Sequence, residues 1–269
     1  MKMIRSYWNM QFNPFSKEID VNKLYKTQDF NEAITRLNFL HDTQGFGLFT
    51  GFSGTGKTFT VNYYLNTLSS SLHKVIYLPL SSVTVMDFFR SMCIALNLET
   101  KTSKSKMFYD IQDTIKRLVK DQKKHLIIVI DEAQLLKQEI LADLKILFNF
   151  DMDSKNMATV ILMGLPILNH TLSKGINEEL KQRIVMNYEF SGLSKEDIKG
   201  YISDRLHLVG AKPDIFTENV YEALPNLING SIRKLNVLLT RALTLGAIEK
   251  VDFLDENLIM KATNDINLI

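Results

Sequence analysis

Gly51-Phe52-Ser53-Gly54-Thr55-Gly56-Lys57-Thr58, with the apolar run Gly47-Leu48-Phe49-Thr50 directly before it, is the stretch from which the fold can be read. It satisfies every position of the pattern G-x-x-x-x-G-K-[ST], whose main chain cradles phosphate oxygens. Glycines at 51, 54 and 56 admit backbone conformations closed to other residues and bring N–H groups up to an anion. From Thr58 onward, Phe59, Val61, Tyr64, Leu65 and Leu68 recur at helical spacing. The loop is therefore expected to end on a helix N-terminus whose partial positive charge faces the phosphates. Lys57 supplies a point charge for the β- and γ-phosphates, and the Thr58 hydroxyl suits Mg2+. A glycine-rich turn matching by chance would not explain the strand before the loop or the helix after it. Gly51, Phe52, Ser53, Gly54, Thr55, Gly56, Lys57 and Thr58 are thus the expected ATP-binding set.

A second landmark lies one strand–helix unit further on. His125-Leu126-Ile127-Ile128-Val129-Ile130 is a β-branched apolar run ending in Asp131-Glu132. Such a run reads as a central parallel strand buried on both faces. Two adjacent carboxylates at its C-terminal end stand where open α/β sheets bind ligands. Alone, an apolar strand ending in Asp-Glu is a common pattern. As the partner of a phosphate loop it reads as a Walker B segment. Asp131 is then expected to hold the Mg2+ shell, and Glu132 to orient and deprotonate an attacking water.

Composition narrows the class. The 269 residues suffice for one large or two small domains, and 45% hydrophobic with 23% charged residues is ordinary for a globular protein. Thirty-two basic against 30 acidic residues confine any nucleic-acid surface to a local patch. The single cysteine, Cys93, excludes an internal disulfide and suits a reducing cytoplasm. Met1 to Asn9 lacks the apolar core of a signal peptide, and the run Ala158 to Leu168 is too short to span a bilayer, which needs about 20 residues. A cytoplasmic protein with no membrane contact is expected.

The remaining chain alternates strand and helix patterns up to about residue 190. Residues 1–30 form an arm rich in aromatics (Tyr7, Trp8, Phe12, Phe15, Tyr25, Phe30), turned at Asn13-Pro14. It either packs its rings on the core or borders an adenine pocket. Helix patterns cover Asp29 to His41, Met107 to Lys120, Leu136 to Phe148 and Glu178 to Ile184. Strand patterns cover Val75 to Leu80, Ala158 to Gly164 and Val185 to Phe190. Thr84 and Asp87 read as a helix cap, with Cys93 on the apolar face as a core residue. Residues 97–106 read as a polar loop. From Ser194 only helices are signalled, over Ser194 to Leu208, Thr217 to Leu227, Ser231 to Ile248 and Asp255 to Ala262. The expected organisation is an arm at 1–30, an α/β ATPase core at 31–190 built on a parallel sheet sandwiched by helices, and a small helical lid at 191–269.

This plan resembles the AAA+ ATPases, and within them the ExeA-like secretion ATPases and the transposon helper ATPases of the TniB and Mu B kinds. The resemblance spans nearly the whole chain. It rests on Asn13-Pro14-Phe15, the Gly51–Thr58 loop, Asp131-Glu132-Ala133-Gln134, Leu180-Lys181-Gln182-Arg183-Ile184, and Gly230-Ser231-Ile232-Arg233-Lys234-Leu235-Asn236. It implies that Arg183 acts as a finger in trans on a neighbouring subunit's nucleotide and that Arg233 senses the γ-phosphate. A surface ion pair with Glu178 or Glu179 is the plainer reading of Arg183, and a helix-surface position that of Arg233. The family usually carries a polar residue after the glycine ending the fourth strand, where this chain has Leu165, so that sensor role is unassigned.

The resemblance further implies a homo-oligomer, a protein partner such as a transposase, and double-stranded DNA. Lys101, Lys104, Lys106, Lys116, Arg117, Lys120, Lys123 and Lys124 are the DNA-contact candidates, although Asp110, Asp113 and Asp121 interleave with them. ExeA-like proteins continue into membrane-spanning and peptidoglycan-binding segments. This sequence ends at Ile269, which favours the transposition-helper expectation. A nucleotide-gated switch of a secretion or signalling system without nucleic acid is the alternative. A small-molecule P-loop kinase is a third, disfavoured by the helical lid and by the water-activating Glu132.

Overall fold

A computed structural model describes residues 2–16, 24–79, 84–150 and 156–267. The chain divides into two compact units, one comprising Glu32–Gly51 and Lys57–Phe190, the other Met1–Asn31, Phe52–Gly56 and Ser191–Ile269.

The first unit is a five-stranded, wholly parallel sheet in the order β2-β3-β4-β1-β5. Its strands are β1 (Gly45–Gly51), β2 (His73–Pro79), β3 (His125–Asp131), β4 (Thr159–Gly164) and β5 (Ile184–Phe190). The expected end of the second strand, Leu80, lies outside the described residues. Side chains alternate across the sheet, as the two-residue period of a strand requires. Leu48, Ile128, Ile130, Val160 and Leu162 bury into one apolar cluster, and Phe49, Ile127, Val129, Ile161 and Met163 into another on the opposite face. Covering both faces is why these strands read as continuous apolar runs rather than alternating ones. On one face lie α4 (Val85–Ala95), α5 (Lys104–Lys116) and α6 (Gln138–Leu147). The carboxyl-terminal half of α2 (Gln28–Thr43) and α3 (Lys57–Thr67) pack on the other. Short helices α7 (Ile167–Leu172) and α8 (Glu178–Gln182) link β4 to β5. Gly47 has no side chain for a packing reason: a Cβ there would stand 2.2 Å from Leu40 Cδ2 of α2.

Local signals account for most boundaries. Thr84 and Asp87 form a reciprocal capping box at the start of α4. Cys93 is fully buried, as expected of a core residue. The basic stretch read as loop to residue 106 instead enters α5 at Lys104, because Ser103 caps it by accepting from Lys106 N–H. That helix ends in a π-helical turn, Arg117–Asp121. The pattern starting at Leu136 begins two residues later, after a 3-10 turn at Ala133–Leu135.

In the second unit, α9 (Lys195–Leu208), α10 (Glu218–Ile228), α11 (Ile232–Glu249) and α12 (Glu256–Asn267) share one apolar core. Ser194 and Asp197 cap α9 reciprocally. The N-terminal arm belongs to this core. It carries a short helix, α1 (Lys2–Tyr7), absent from the sequence reading, and Trp8 Nε1 donates to the Leu243 carbonyl at 2.9 Å. Phe15 packs near Tyr201 and Phe216. Asp29 accepts the Gly192 N–H at 2.7 Å and the Ser191 hydroxyl at 3.2 Å. One isolated parallel bridge, Phe216 to Leu254, is the sole β pairing among the described residues of this unit. No described helix is long and apolar enough to cross a membrane.

Candidate functional site

Because the sheet is parallel, the carboxyl ends of β1 and β3 point the same way. The loop leaving β1 becomes α3 at Lys57, and β3 delivers Asp131 as its last residue. The predicted metal-ligating pair meets there: the Thr58 hydroxyl donates to Asp131 Oδ2 at 3.1 Å. A hydroxyl beside a buried carboxylate is a hard-oxygen donor pair, the ligand type that Mg2+ takes. Lys57 Nζ donates to the Gly51 carbonyl at 2.7 Å, so its charge folds back over the loop.

Asp131 is held on both oxygens. Oδ1 accepts the Glu132 N–H at 2.9 Å, and Oδ2 also accepts the Tyr77 hydroxyl at 2.5 Å. Burial pushes the Tyr77 phenol well above its ordinary range, and the hydrogen bond to Asp131 with the charges of Asp131 and Glu132 adds to this. Tyr77 therefore stays a protonated donor throughout the working range of pH. Glu132 itself is exposed and sits in the left-handed region at φ 53°, ψ 37°. For a residue with a Cβ that conformation costs about 1–2 kcal/mol. It turns the chain sharply at the end of β3, and Gln134 Nε2 donates to Glu132 Oε2 at 2.6 Å.

Gly54 lies at φ +84°, and a Cβ there would stand 2.3 Å from Ser231 Oγ. Its carbonyl accepts the Ile232 N–H at 2.9 Å, at the first turn of α11. Beside it, Arg233 Nη1 donates to Ser53 Oγ at 3.2 Å. The resemblance-derived Arg233 is thus brought to the loop. Arg183 is not: it follows α8, and Nη1 donates to the Lys145 carbonyl of α6 at 2.8 Å.

Sequence reading missed two residues here and gave a third no role. Tyr77 sat in an apolar strand and read as core. Asn169, on α7, donates to Thr50 Oγ1 at 2.9 Å and to Glu189 Oε2 at 3.4 Å, while its Oδ1 is buried without a hydrogen-bond partner among the described residues. Gln134 was quoted in the resemblance without a function. The first two contact residues 54 and 119 positions away in the chain, so strand order rather than local pattern brings them in. Leu165 joins by its main chain, donating its N–H to Gln134 Oε1 at 3.0 Å.

Three of the eight basic candidates are answered by carboxylates. Lys101 pairs with Asp110, Lys104 with Asp143 at 2.6 Å, and Lys116 with Asp113 at 3.8 Å. Lys101, Lys116 and Arg117 line a surface hollow together with Glu99, Asp110 and Asp113, which mixes the signs.

Residues 40–172 match the family model described as an AAA domain. General secretion pathway protein A of Aeromonas hydrophila is 32% identical over 244 residues, which is 90% of this chain and 44% of that protein. The chain thus spans less than half the length of this relative. Among solved structures, Cdc6p from Pyrobaculum aerophilum superposes with a TM-score of 0.69 at 14% identity, covering 94% of this chain and 70% of its own. The Aeropyrum pernix ORC1 protein in complex with DNA gives 0.61 at 16% identity, covering 97% and 69%. At such identities the solved structures speak to fold. Residues 40–172 thus match an AAA domain, and the chain has the fold of a P-loop NTPase.

Proposed function

We propose that this chain binds Mg2+-ATP on the Gly51–Thr58 loop and hydrolyses it as part of a homo-oligomer. The observation that carries this reading is the meeting of Thr58 with Asp131 at 3.1 Å beside the start of α3. Main-chain N–H groups of the loop and the α3 N-terminus hold the phosphates, and Lys57 swings from the Gly51 carbonyl to their charge. Thr58 and Asp131 hold Mg2+, whose chemistry there is to neutralise charge on the β- and γ-phosphate oxygens. Glu132, exposed at the turn after β3, orients water and accepts its proton. Arg233, which bonds Ser53 of the loop, senses the γ-phosphate, and residues 191–269 form the helical lid domain. Arg183 serves a neighbouring subunit's nucleotide.

The cellular role we propose is a cytoplasmic, DNA-associated helper of transposition. It draws on the resemblance at residues 131–134, 180–184 and 230–236 and on a fold shared with a protein solved on DNA. The ion pairs on Lys101, Lys104 and Lys116 weaken the α5 region as its contact surface. A second reading, a secretion-linked ATPase switch, is favoured by the identity to General secretion pathway protein A across most of this chain. Salt-sensitive retention on random-sequence duplex DNA with a non-hydrolysable ATP analogue supports the first; its absence favours the second.

The oligomeric mechanism has its own test. Arg183→Ala alone should bind ATP but hydrolyse it slowly, by up to the ~10³-fold scale of arginine fingers. Adding Lys57→Ala chains should restore turnover, since one chain then supplies an intact nucleotide site and the other an intact arginine. No rescue between co-assembled chains removes Arg183 from a trans role.

A further inference from the structure

An amide side chain links two strand ends at the site. The Leu165 N–H donates to Gln134 Oε1 at 3.0 Å. A main-chain N–H can only donate, so the amide oxygen must face Leu165 and the NH2 group must face the other way. There it meets Glu132, donating to Oε2 at 2.6 Å. The orientation of this amide is dictated by its partners rather than free to flip. Its space is reserved as well: a Cβ on Gly164 would stand 2.5 Å from Gln134 Oε1 and 3.3 Å from Gln134 N. Gln134 is half-buried, while the Glu132 side chain it holds is exposed. The Glu132 backbone is fixed independently, by its left-handed turn and by its N–H on Asp131 Oδ1. Main chain and side chain of Glu132 are thus tethered to β3 and β4 respectively.

We infer that Gln134 is a positioning residue for hydrolysis: braced on the main chain at the end of β4, its amide holds the Glu132 carboxylate where it takes a proton from water. This deepens the function proposed above and rests on Glu132 being the base. In that step the water oxygen bonds to the γ-phosphorus, and the bond from phosphorus to the β,γ-bridging oxygen breaks with its electron pair leaving on ADP. The water's proton goes to the Glu132 carboxylate. Gln134 exchanges no proton; by occupying Oε2 it leaves Oε1 to face the water.

Two variants separate positioning from mere bracing. Gln134→Glu keeps the size and an oxygen for the Leu165 N–H, but it has no N–H for Glu132 and sets two carboxylates side by side. Gln134→Met keeps the length and makes neither bond. We expect kcat to fall about 10–100-fold in both, the scale of a misplaced catalytic group, with the affinity for fluorescent ATP and the thermal midpoint retained. In Gln134→Glu, activity relative to the parent should recover as pH falls, because the protonated side chain regains a donor. A bracing role instead predicts near-parental kcat in Gln134→Glu, since the Leu165 bond survives. That result, or turnover faster than the parent in either variant, overturns the inference. Glu132→Gln measured alongside separates the two levels: parental turnover there overturns the base assignment and this inference with it. An inactive Glu132→Gln with a fully active Gln134→Glu overturns this inference alone.

Discussion

The two ends of the parallel sheet carry polar clusters of opposite character. At the carboxyl ends, α3 begins, and its N-terminus presents partial positive charge beside Lys57, Thr58 and Asp131. At the amino ends, α2 finishes, and its C-terminus presents partial negative charge beside three imidazoles. His41 of α2 stacks on His125 of β3 at 4.7 Å, and His41 Nε2 lies 3.0 Å from His73 Nε2 of β2. At the first end, hydrogen bonds run from Thr58 and Tyr77 to Asp131, and through the exposed Glu132 and Gln134 to the Leu165 main chain. At the second, the rings turn on one another: His73 Nδ1 bonds the Ser69 carbonyl and His41 Nδ1 lies beside Asp42. Among the described residues no three ligands there or elsewhere are arranged for a metal. Parallel strand direction gathers the strand ends at one edge and the strand starts at the other, and the side chains placed there give each edge its character.

The comparison breaks most visibly at Lys57. Lys57→Ala removes the charge from the proposed phosphate-binding edge, and losing the partner of a buried charge costs about 2–5 kcal/mol, roughly 30-fold to several thousand-fold in Kd. Equilibrium binding of labelled ATP checks this; parental affinity would refute the site. A smaller effect is expected at Tyr77. Tyr77→Phe removes the O–H that Asp131 accepts, a bond to a charged group discounted for the tyrosine's 42% exposure to about 1 kcal/mol. Denaturant unfolding should register that loss while the variant still binds ATP; unchanged stability would mean water replaces the phenol fully.

The smallest effect belongs to the histidine edge. Burial first, then the charges of His41 and His73, holds the His125 imidazole below its ordinary 6.5, with Asp42 opposing. A folded pKa below the unfolded one means the unfolded chain binds the proton more readily as pH falls. This contribution to stability is therefore complete above about pH 6.5 and is lost as pH drops through the region below it. His125→Phe should flatten that part of the stability–pH curve, and an unaltered slope would assign it to other groups.

Much of this was legible in the sequence where the determinants are local. The loop from Gly51 to Thr58, the apolar run into Asp131, and the caps at Thr84 and Ser194 each declare themselves within a few residues. Tyr77 and Asn169 do not, because their partners are set by β2 lying beside β3 and β1 beside β4. Gln134 sits two residues from Glu132, but its other bond crosses to β4, so its bridging geometry is invisible without the sheet. The arm at α1 was legible as aromatic, yet its burial against α11 depends on a helix more than 200 residues away.

The central claim is that the carboxyl-end cluster is a hydrolytic site with Glu132 as its base. Glu132→Gln tests it most directly, since the amide keeps the size of the side chain and cannot accept the water's proton. Bound nucleotide and phosphate release should be measured on the same preparation. The account predicts parental retention of labelled ATP with turnover lowered by about 10²–10⁴-fold, the contribution of a positioned base. Phosphate release at the parental rate would contradict it.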